Sequence, residues 1–289
     1  MAWTNSLSFM PEPTPVLILI SVLLVVSIPL LLHLIIYSTT SDTLPTILLI
    51  GPSGAGKTAL VTLLERGRPT ATRTSQTPHT VEVSLPVKTP VASSRFRSPN
   101  DPTWEVTKKL LIQDTPGHGK LRHYAMDSIS KPQSLQGIIF VVDAADLSSE
   151  AREGARQAAE YLHDVLLQLQ KRATNSKSSR APKEMPVLIA ANKLDLFTAL
   201  PAPLVKSTLE SEITKLRKSL SAGLLDSGVG AKDLDVTEEH DWLGEVGDGP
   251  FEFSQLQEFN VQVKILAGNV TGVDGSDVKQ WWNWIGSIL

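Results

Sequence analysis

The sequence predicts an α/β fold, with a six-stranded, mostly parallel sheet flanked by helices and preceded by one amino-terminal transmembrane helix. From residue 46 onward, short apolar runs alternate with segments of helical periodicity, which is typical of parallel strands joined by crossover helices. Before that point, residues 16–37 are apolar and carry no formal charge if His33 is neutral. A helix of that length spans a bilayer.

The amino-terminal segment is predicted to be an uncleaved anchor. A cleaved signal peptide has a cationic beginning and a shorter apolar core, whereas residues 1–15 contain no Lys or Arg. Burial inside a soluble domain is the alternative, but so long an apolar run without polar interruption disfavours it. The predicted organisation is a short amino terminus at residues 1–15, the anchor at 16–37, a linker at 38–45 and one large domain at 46–289.

Each predicted strand is a short run of apolar or β-branched residues bounded by turn-forming residues. These strands are placed at Thr46–Ile50 and at residues 80–87, 104–113, 137–142, 187–191 and 261–266. Helical periodicity predicts helices at residues 58–66, 120–130, 149–171, 202–220 and 276–289. Variable loops are predicted at residues 88–103, 173–184 and 221–250. The last loop is acidic and rich in glycine, so a solvated surface loop is favoured over a binding segment for a basic partner.

The final predicted helix carries three tryptophans, which raises the question of a membrane-interface role. Trp281 and Trp282 fall on one apolar face of that helix, and Trp284 falls toward its edge. A single apolar face is typical of a helix packed on a sheet. Core packing is therefore the favoured interpretation.

Composition excludes several classes of function. The chain has 289 residues, a formal net charge of -3 and no cysteine. Without cysteine there are no disulfides, thiolate metal sites or cysteine nucleophiles, which fits a reducing compartment. Without a global basic field, direct binding of nucleic acid is not expected.

The pattern G-P-S-G-A-G-K-T at residues 51–58 predicts a phosphate-binding loop, because it lies between a predicted buried strand and a predicted helix. Glycines let successive backbone N–H groups curl around phosphate oxygens, the lysine reaches the β and γ phosphates, and the threonine hydroxyl ligates Mg²⁺. An accidental glycine-rich turn is the disfavoured alternative. The nucleotide-binding candidates in this stretch are Ser53, Gly54, Ala55, Gly56, Lys57, Thr58 and Ala59.

A second motif, D-T-P-G-H, follows the third predicted strand. Asp114 is placed to hold Mg²⁺ through water, and the Gly117 N–H is placed to reach the γ phosphate. His118 is the catalytic candidate, because it stands where many GTPases have the glutamine that orients the attacking water. A histidine serves in that role only with a suitable tautomer and geometry, so slow or partner-dependent hydrolysis is as plausible as active catalysis.

A third motif, N-K-L-D, follows the fifth predicted strand and indicates guanine. The Asp195 carboxylate accepts hydrogen bonds from both N1–H and the exocyclic amine of guanine, and adenine does not offer this pair of donors. Asn192 is predicted to brace the loops, and the stem of Lys193 to cover the ring. An isolated N-K-x-D is often a surface turn, but the order of the three motifs favours a base site.

The three motifs occur in family order, and the sequence resembles small GTPases of the Ras and Arf type over most of residues 46–289. The resemblance narrows when four features are combined: D-T-P-G-H-G-K-L-R, the V-V-D run ending at Asp143, F-E-F-S-Q-L at residues 251–256, and the amino-terminal anchor. Together they resemble the beta-subunit family of signal recognition particle receptors.

That resemblance implies a P-loop GTPase fold, GTP and Mg²⁺ as ligands, and an endoplasmic reticulum membrane location. It also implies GTP-dependent binding of the peripheral alpha subunit through the alpha subunit's amino-terminal domain. By family position, Thr77 is chosen over Thr74 and Thr80 as the switch threonine that meets nucleotide and Mg²⁺. Asn269 and Val270 take the place of the last guanine-contacting segment, a contact made mostly by backbone N–H groups.

The leading hypothesis is a membrane-anchored GTP switch whose output is partner binding, with slow hydrolysis on its own. The positive-inside rule does not decide the orientation, because the first basic residue after the anchor is Lys57. The supply of nucleotide places the large domain in the cytosol and residues 1–15 on the far side. The alternatives are another Arf-like trafficking GTPase, a structural anchor with permanently bound nucleotide, and an ATP-using hydrolase or kinase, which the N-K-L-D motif disfavours.

Overall fold

The computed structural model describes residues 15–39, 44–85, 108–130, 135–148, 153–174, 184–226, 242–244, 249–272 and 275–289. The chain divides into two compact units, Met1–Thr43 and Leu44–Leu289. The first unit contains helix α1, Pro15–Thr39, with Pro29 inside it and exposed apolar side chains over much of its length. Among the residues that the structure describes, no helix is long and apolar enough to cross a membrane, so the predicted span at residues 16–37 has no structural support.

The second unit is built on one six-stranded sheet, as the sequence predicts. Its strand order is β2-β3-β1-β4-β5-β6. Strand β2 pairs antiparallel with β3, and the other neighbouring strands pair in parallel. The strands are β1 (Thr46–Ile50), β2 (His79–Ser84), β3 (Lys109–Asp114), β4 (Leu135–Asp143), β5 (Met185–Asn192) and β6 (Val261–Ala267).

The central strands are buried because helices cover both faces of the sheet. Residues 47–50 of β1 and 138–142 of β4 have no exposed surface. Their alternate side chains enter two separate apolar clusters, one on each face of the sheet. Continuous apolar runs of this kind are what a doubly covered parallel sheet requires.

The helices of this unit match the predicted positions with shifted ends. They are α2 (Lys57–Arg66), α3 (His123–Ser130), α4 (Glu153–Thr174), α5 (Ala202–Asp226) and α6 (Lys279–Ile288). The predicted helix at residues 120–130 is interrupted, because a short 3₁₀ turn, Gly119–Leu121, precedes α3. The predicted loop at 88–103 lies outside the described residues, as do residues 175–183, 227–241 and 245–248 of the other two loops.

The prediction for the tryptophans of α6 is right about packing and wrong about which ring is at the edge. Trp281 and Trp284 are buried in the core, whereas Trp282 is only partly buried. Trp281 also donates its indole N–H to the carbonyl oxygen of Leu266 at 3.1 Å. The helix therefore faces the sheet through Trp281, Trp284 and Ile285, a face rotated from the predicted one.

Residues 242–244 are fastened to α4 and α5. The Gln170 side chain donates to the Trp242 carbonyl oxygen and accepts from the Gly244 N–H, both at 2.8 Å. The buried Arg217 guanidinium lies 4.6 Å from the centre of the Trp242 ring and 5.8 Å from that of Phe251. These contacts form a clamp on the chain that follows α5.

Candidate functional site

Most of the predicted site residues meet at one edge of the sheet, where the parallel strands end. Ligands of open α/β sheets bind outside the carboxyl ends of the strands, because the loops there converge. The converging loops are residues 51–56 after β1, 115–117 after β3, 193–195 after β5 and 268–270 after β6.

The first loop is shaped by a glycine that no other residue can replace without strain. Gly51 has φ 145°, and a Cβ built on it would lie 2.1 Å from the Val141 carbonyl oxygen. Left-handed φ values and such close backbone approach both require glycine. The loop can therefore leave β1 sharply and present its backbone before α2 begins at Lys57.

Lys57 is folded back onto the loop that precedes it. Its Nζ donates to the carbonyl oxygens of Gly51 and Pro52, each at 2.8 Å. Burial lowers the pKa of Lys57 to about 8, and the nearby Asp114 opposes that shift. A buried amine of this kind is an anion-binding group, since a phosphate beside it would restore the charged form.

Thr58 and Asp114 form the oxygen pair that the sequence predicts as Mg²⁺ ligands. The Thr58 hydroxyl donates to Asp114 Oδ2 at 2.7 Å. Asp114 Oδ1 is buried and has no hydrogen-bond partner among the described residues. Burial raises the pKa of Asp114, while the Thr58 hydrogen bond and the charges of Lys57 and His79 oppose the rise. Two hard oxygen donors with one unsatisfied oxygen fit Mg²⁺.

Gly117 closes against the same group of atoms. A Cβ on Gly117 would lie 2.4 Å from Lys57 Nζ and 2.6 Å from the Gly51 carbonyl oxygen. The D-T-P-G backbone therefore reaches the phosphate loop, and Thr115 ties it to β1 by donating its hydroxyl to the Leu49 carbonyl oxygen at 2.7 Å.

A cavity of about 250 Å³ opens between these loops and residues 72–75. The cavity is lined by Lys57, Thr58 and Gly117 from the motifs and also by Thr72, Arg73, Thr74 and Ser75. The sequence-based choice of Thr77 is not among the lining residues. Thr77 is exposed, and its carbonyl oxygen accepts from the Ser75 hydroxyl at 2.9 Å.

Residues 72–75 belong to the segment 72–80 in which the sequence predicts the switch threonine, with Thr77 chosen over Thr74. Thr74 lines the cavity, whereas Thr77 does not. The segment has no helical or strand periodicity that would fix which threonine faces the site. Arg73 also lines the cavity and adds a cation that the three sequence motifs do not contain.

Asn192 joins the phosphate loop to the last loop, which matches its predicted bracing role. Its side chain donates to the Ala55 carbonyl oxygen at 2.8 Å and accepts from the Val270 N–H at 3.0 Å. Asn192 is only 3% exposed. Both loops are therefore held by one buried amide.

The remaining N-K-L-D residues lie on the surface side of this joint. Lys193 has φ 65° and forms an ion pair with Asp143 at the end of β4. Asp195 is exposed, and the Leu194 N–H donates to the Gly268 carbonyl oxygen at 3.2 Å. Asp195 also lies beside Gly272, because a Cβ on that glycine would be 3.3 Å from the Asp195 Cβ.

Asn269 and Val270, the last predicted guanine-contacting residues, differ in burial and in hydrogen bonding. Val270 is buried and its N–H is already bonded to Asn192. Asn269 pairs through its backbone with Asp277, and its side-chain amide donates to the Gly275 carbonyl oxygen at 2.8 Å.

Two other predicted residues stand apart from the cavity walls. His118 is exposed, and its Nδ1 accepts from the Lys120 N–H at 3.3 Å. Ala59 is half-buried in the first turn of α2. The catalytic role of His118 and the nucleotide contact of Ala59 stay predictions.

The phosphate-binding loop thus follows β1, the aspartate of the oxygen pair for a divalent cation lies at the end of β3, and the loop for the base follows β5. This arrangement defines the class of P-loop GTPases. Within that class, residues 42–261 match the family model described as signal recognition particle receptor beta subunit. The chain belongs to this family.

Individual relatives agree with the family match. The chain is 27% identical to the signal recognition particle receptor subunit beta of Saccharomyces cerevisiae, over 85% of this chain and 84% of the relative. It is 37% identical, with a TM-score of 0.67, to a chain of the signal recognition particle receptor SRb-GTP/SRX complex from Chaetomium thermophilum, over 84% of this chain and 99% of that one. It is 40% identical, with a TM-score of 0.61, to the SRb-GDP-Mg structure from the same organism, over 85% and 99%.

Proposed function

We propose that the chain is the GTP-binding switch subunit of a signal recognition particle receptor, held at the endoplasmic reticulum membrane, where it recruits the alpha subunit for cotranslational protein targeting. One observation carries the switch: the phosphate cavity is lined both by the buried residues Lys57 and Gly117 and by the irregular, mostly exposed segment 72–75. An irregular segment beside a phosphate site is the kind of element that a γ phosphate orders and hydrolysis releases.

The ligand assignments follow from the donors in the site. Backbone N–H groups of residues 53–59 and the Lys57 amine bind the phosphates, while Thr58 and Asp114 hold Mg²⁺. The bound Mg²⁺ would neutralise phosphate charge. Asp195 reads guanine, with Lys193 over the ring and Asn269 and Val270 beside it. Thr77 completes the cation site in the GTP state, which requires residues 72–77 to move from the positions described above.

Support for a guanine nucleotide and Mg²⁺ comes from the relatives. The solved structures from Chaetomium thermophilum include SRb with GTP in complex with SRX, and SRb with GDP and Mg. A partner that binds only one nucleotide state gains its selectivity from the segments that the γ phosphate orders.

We further propose that α1 is the membrane anchor, with the second unit in the cytosol. Support comes from the sequence, because residues 16–37 hold no formal charge if His33 is neutral, and from the exposed apolar side chains of α1. In sealed microsomes, an epitope at residue 2 should resist added protease. Digestion of that epitope would reverse the orientation.

Hydrolysis is proposed to be slow without a partner. Among the described residues His118 does not line the phosphate cavity, and its Nδ1 accepts a hydrogen bond from the Lys120 N–H instead. Another Arf-like trafficking GTPase would bind GTP equally well but would not capture the alpha subunit. A structural anchor would retain one nucleotide permanently, and an ATP-using enzyme would turn over ATP. Chromatography of nucleotide extracted from the purified chain, together with turnover of GTP and ATP, separates these alternatives.

The central test is capture of the alpha subunit's amino-terminal domain by the full chain loaded with GTP. Lys57→Ala removes the phosphate-binding amine and Thr58→Asn disturbs the Mg²⁺ pair, so both should abolish nucleotide-dependent capture. Lys206→Ala is the matched control, because Lys206 lies on α5 and pairs only at 3.8 Å with Glu210. Unchanged capture by either site variant would sink the switch model.

A further inference from the structure

The end of β4 is a polar junction that the nucleotide contacts above do not use. Asp143 is the last residue of β4 and is the register partner of Asn192 at the end of β5. The two strands stay joined beyond this point, because the Ala144 N–H donates to the Asn192 carbonyl oxygen at 3.0 Å. Asp143 therefore lies one strand away from the residue that braces the site.

The two carboxylate oxygens of Asp143 have different partners. Oδ1 accepts from the backbone N–H groups of Ala145 at 3.0 Å and Asp146 at 3.3 Å, which closes the turn after β4. Oδ2 pairs with the Lys193 ammonium. The Asp143 side chain is 19% exposed and the Lys193 side chain is 34% exposed, so the ion pair is partly shielded from water.

Lys193 needs such a partner because of its position in the chain. It is a non-glycine residue at φ 65°, a left-handed conformation that the surrounding structure must stabilise. Its backbone is fixed by a bond from the Leu196 N–H to its own carbonyl oxygen at 3.0 Å. The long side chain has several rotatable bonds, and the ion pair with Asp143 is the contact that selects one direction for it.

From this geometry we propose that Asp143 is a positioning residue for the nucleotide base: it holds Lys193 so that the aliphatic stem lies ready to pack on the purine ring. The inference rests on the proposed guanine site. Asp143 itself does not contact the base and acts through Lys193. The turn bonds at Oδ1 aim the carboxylate, and the ion pair at Oδ2 aims the lysine. Pre-organisation of this kind lowers the cost of ordering a flexible side chain on binding.

The test separates the two oxygens. Asp143→Asn keeps an oxygen that can accept both turn bonds and removes the charge that holds Lys193. It should weaken GDP binding by roughly fivefold, which is the scale of a partly exposed ion pair. Lys193→Met, which keeps a similar stem length, should weaken binding by a similar factor. The double variant should bind no more weakly than the weaker single variant, because both changes break one contact.

Asp146→Asn is the matched control. It removes the same charge three positions along the chain, and Asp146 contributes only its backbone N–H to the Asp143 turn. GDP affinity of this control should stay within roughly twofold of the original chain. Titration of the full chain with fluorescent GDP gives the affinities, and thermal unfolding without nucleotide shows that the turn persists in Asp143→Asn.

The inference is overturned if Asp143→Asn binds GDP as tightly as the original chain, or if the two single effects multiply in the double variant. If Asp143 only closes the turn, Asp143→Asn should bind GDP as tightly as the original chain, and only Asp143→Ala should have a lower unfolding temperature. Failure of the proposed function looks different, because the original chain itself would then bind GDP no better than ADP.

Discussion

Replacing Asn192 by alanine should destabilise the nucleotide-free domain more than any other single polar truncation at the site. The buried side chain makes two hydrogen bonds, to the Ala55 carbonyl oxygen and from the Val270 N–H. Each contributes about 1 kcal/mol, and leaving the Val270 N–H buried without a partner costs about 1–3 kcal/mol more. The expected loss is about 3–5 kcal/mol in the free energy of unfolding.

In a domain of this size, such a loss lowers the unfolding temperature by roughly 10 °C. Circular dichroism of the full chain, stripped of nucleotide and heated at fixed concentration, measures the shift. Asn269→Ala is the control, because among the described residues the Asn269 side chain donates one hydrogen bond, to the Gly275 carbonyl oxygen, and that bond is exposed. It should shift the midpoint by no more than about 3 °C.

The same change should also weaken GDP binding, since the phosphate loop and the last loop would no longer share a brace. An unfolding midpoint of Asn192→Ala within about 2 °C of the original chain would refute the bracing role. Equal shifts in Asn192→Ala and Asn269→Ala would refute it as well, because burial is what distinguishes the two amides.

Four further outcomes are expected. Asp195→Asn should shift preference from guanine toward xanthine nucleotides in a competition assay, and unaltered selectivity would remove that carboxylate from the base site. At pH 8, GDP binding should be accompanied by uptake of about half a proton, because burial lowers the pKa of Lys57 to about 8 and phosphate raises it again. Calorimetry in two buffers of different protonation enthalpy measures this uptake. No uptake between pH 7.5 and 8.5 would contradict the predicted change in the Lys57 pKa. Without nucleotide, this lysine should add stability as pH rises from about 8 to 10.5, since only the unfolded chain still binds its proton there. Gly117→Ala would place a Cβ 2.4 Å from Lys57 Nζ and 2.6 Å from the Gly51 carbonyl oxygen, so GDP binding should weaken by roughly ten- to a hundredfold. Gly119→Ala is the control and should bind GDP normally, because a Cβ there would have no atom of the described residues within 4 Å. Equal GDP affinities of the two variants would contradict the close packing at Gly117.

The strands were predictable because their apolar runs end where the backbone must turn. The run at Thr46–Ile50 is bounded by Pro45 and Gly51, and the observed β1 has the same limits. The sequence also located Asn192 between the two loops that it joins, because N-K-x-D after a buried strand leaves its asparagine at the strand's end. Short motifs at strand ends carry most of the site's geometry.

Contacts between distant side chains were not predictable in the same way. Trp284 is buried because α6 is rotated on the sheet, and helical periodicity alone does not fix that rotation. Residues 72–75 line the cavity without any periodic pattern. The ion pair of Lys193 with Asp143 depends on β4 and β5 being neighbours in register, which the order of elements along the chain does not state.

The clamp of Gln170, Arg217 and Trp242 joins parts of the chain that are distant in sequence. Gln170 is on α4 and Arg217 is on α5, and both contact residues 242–244. The packing of α4 against α5 is therefore linked to a segment that follows both helices in the chain. Loss of the Trp242 ring would remove a contact of the buried Arg217 guanidinium, and so would loosen α5 at a place that carries none of the proposed nucleotide contacts.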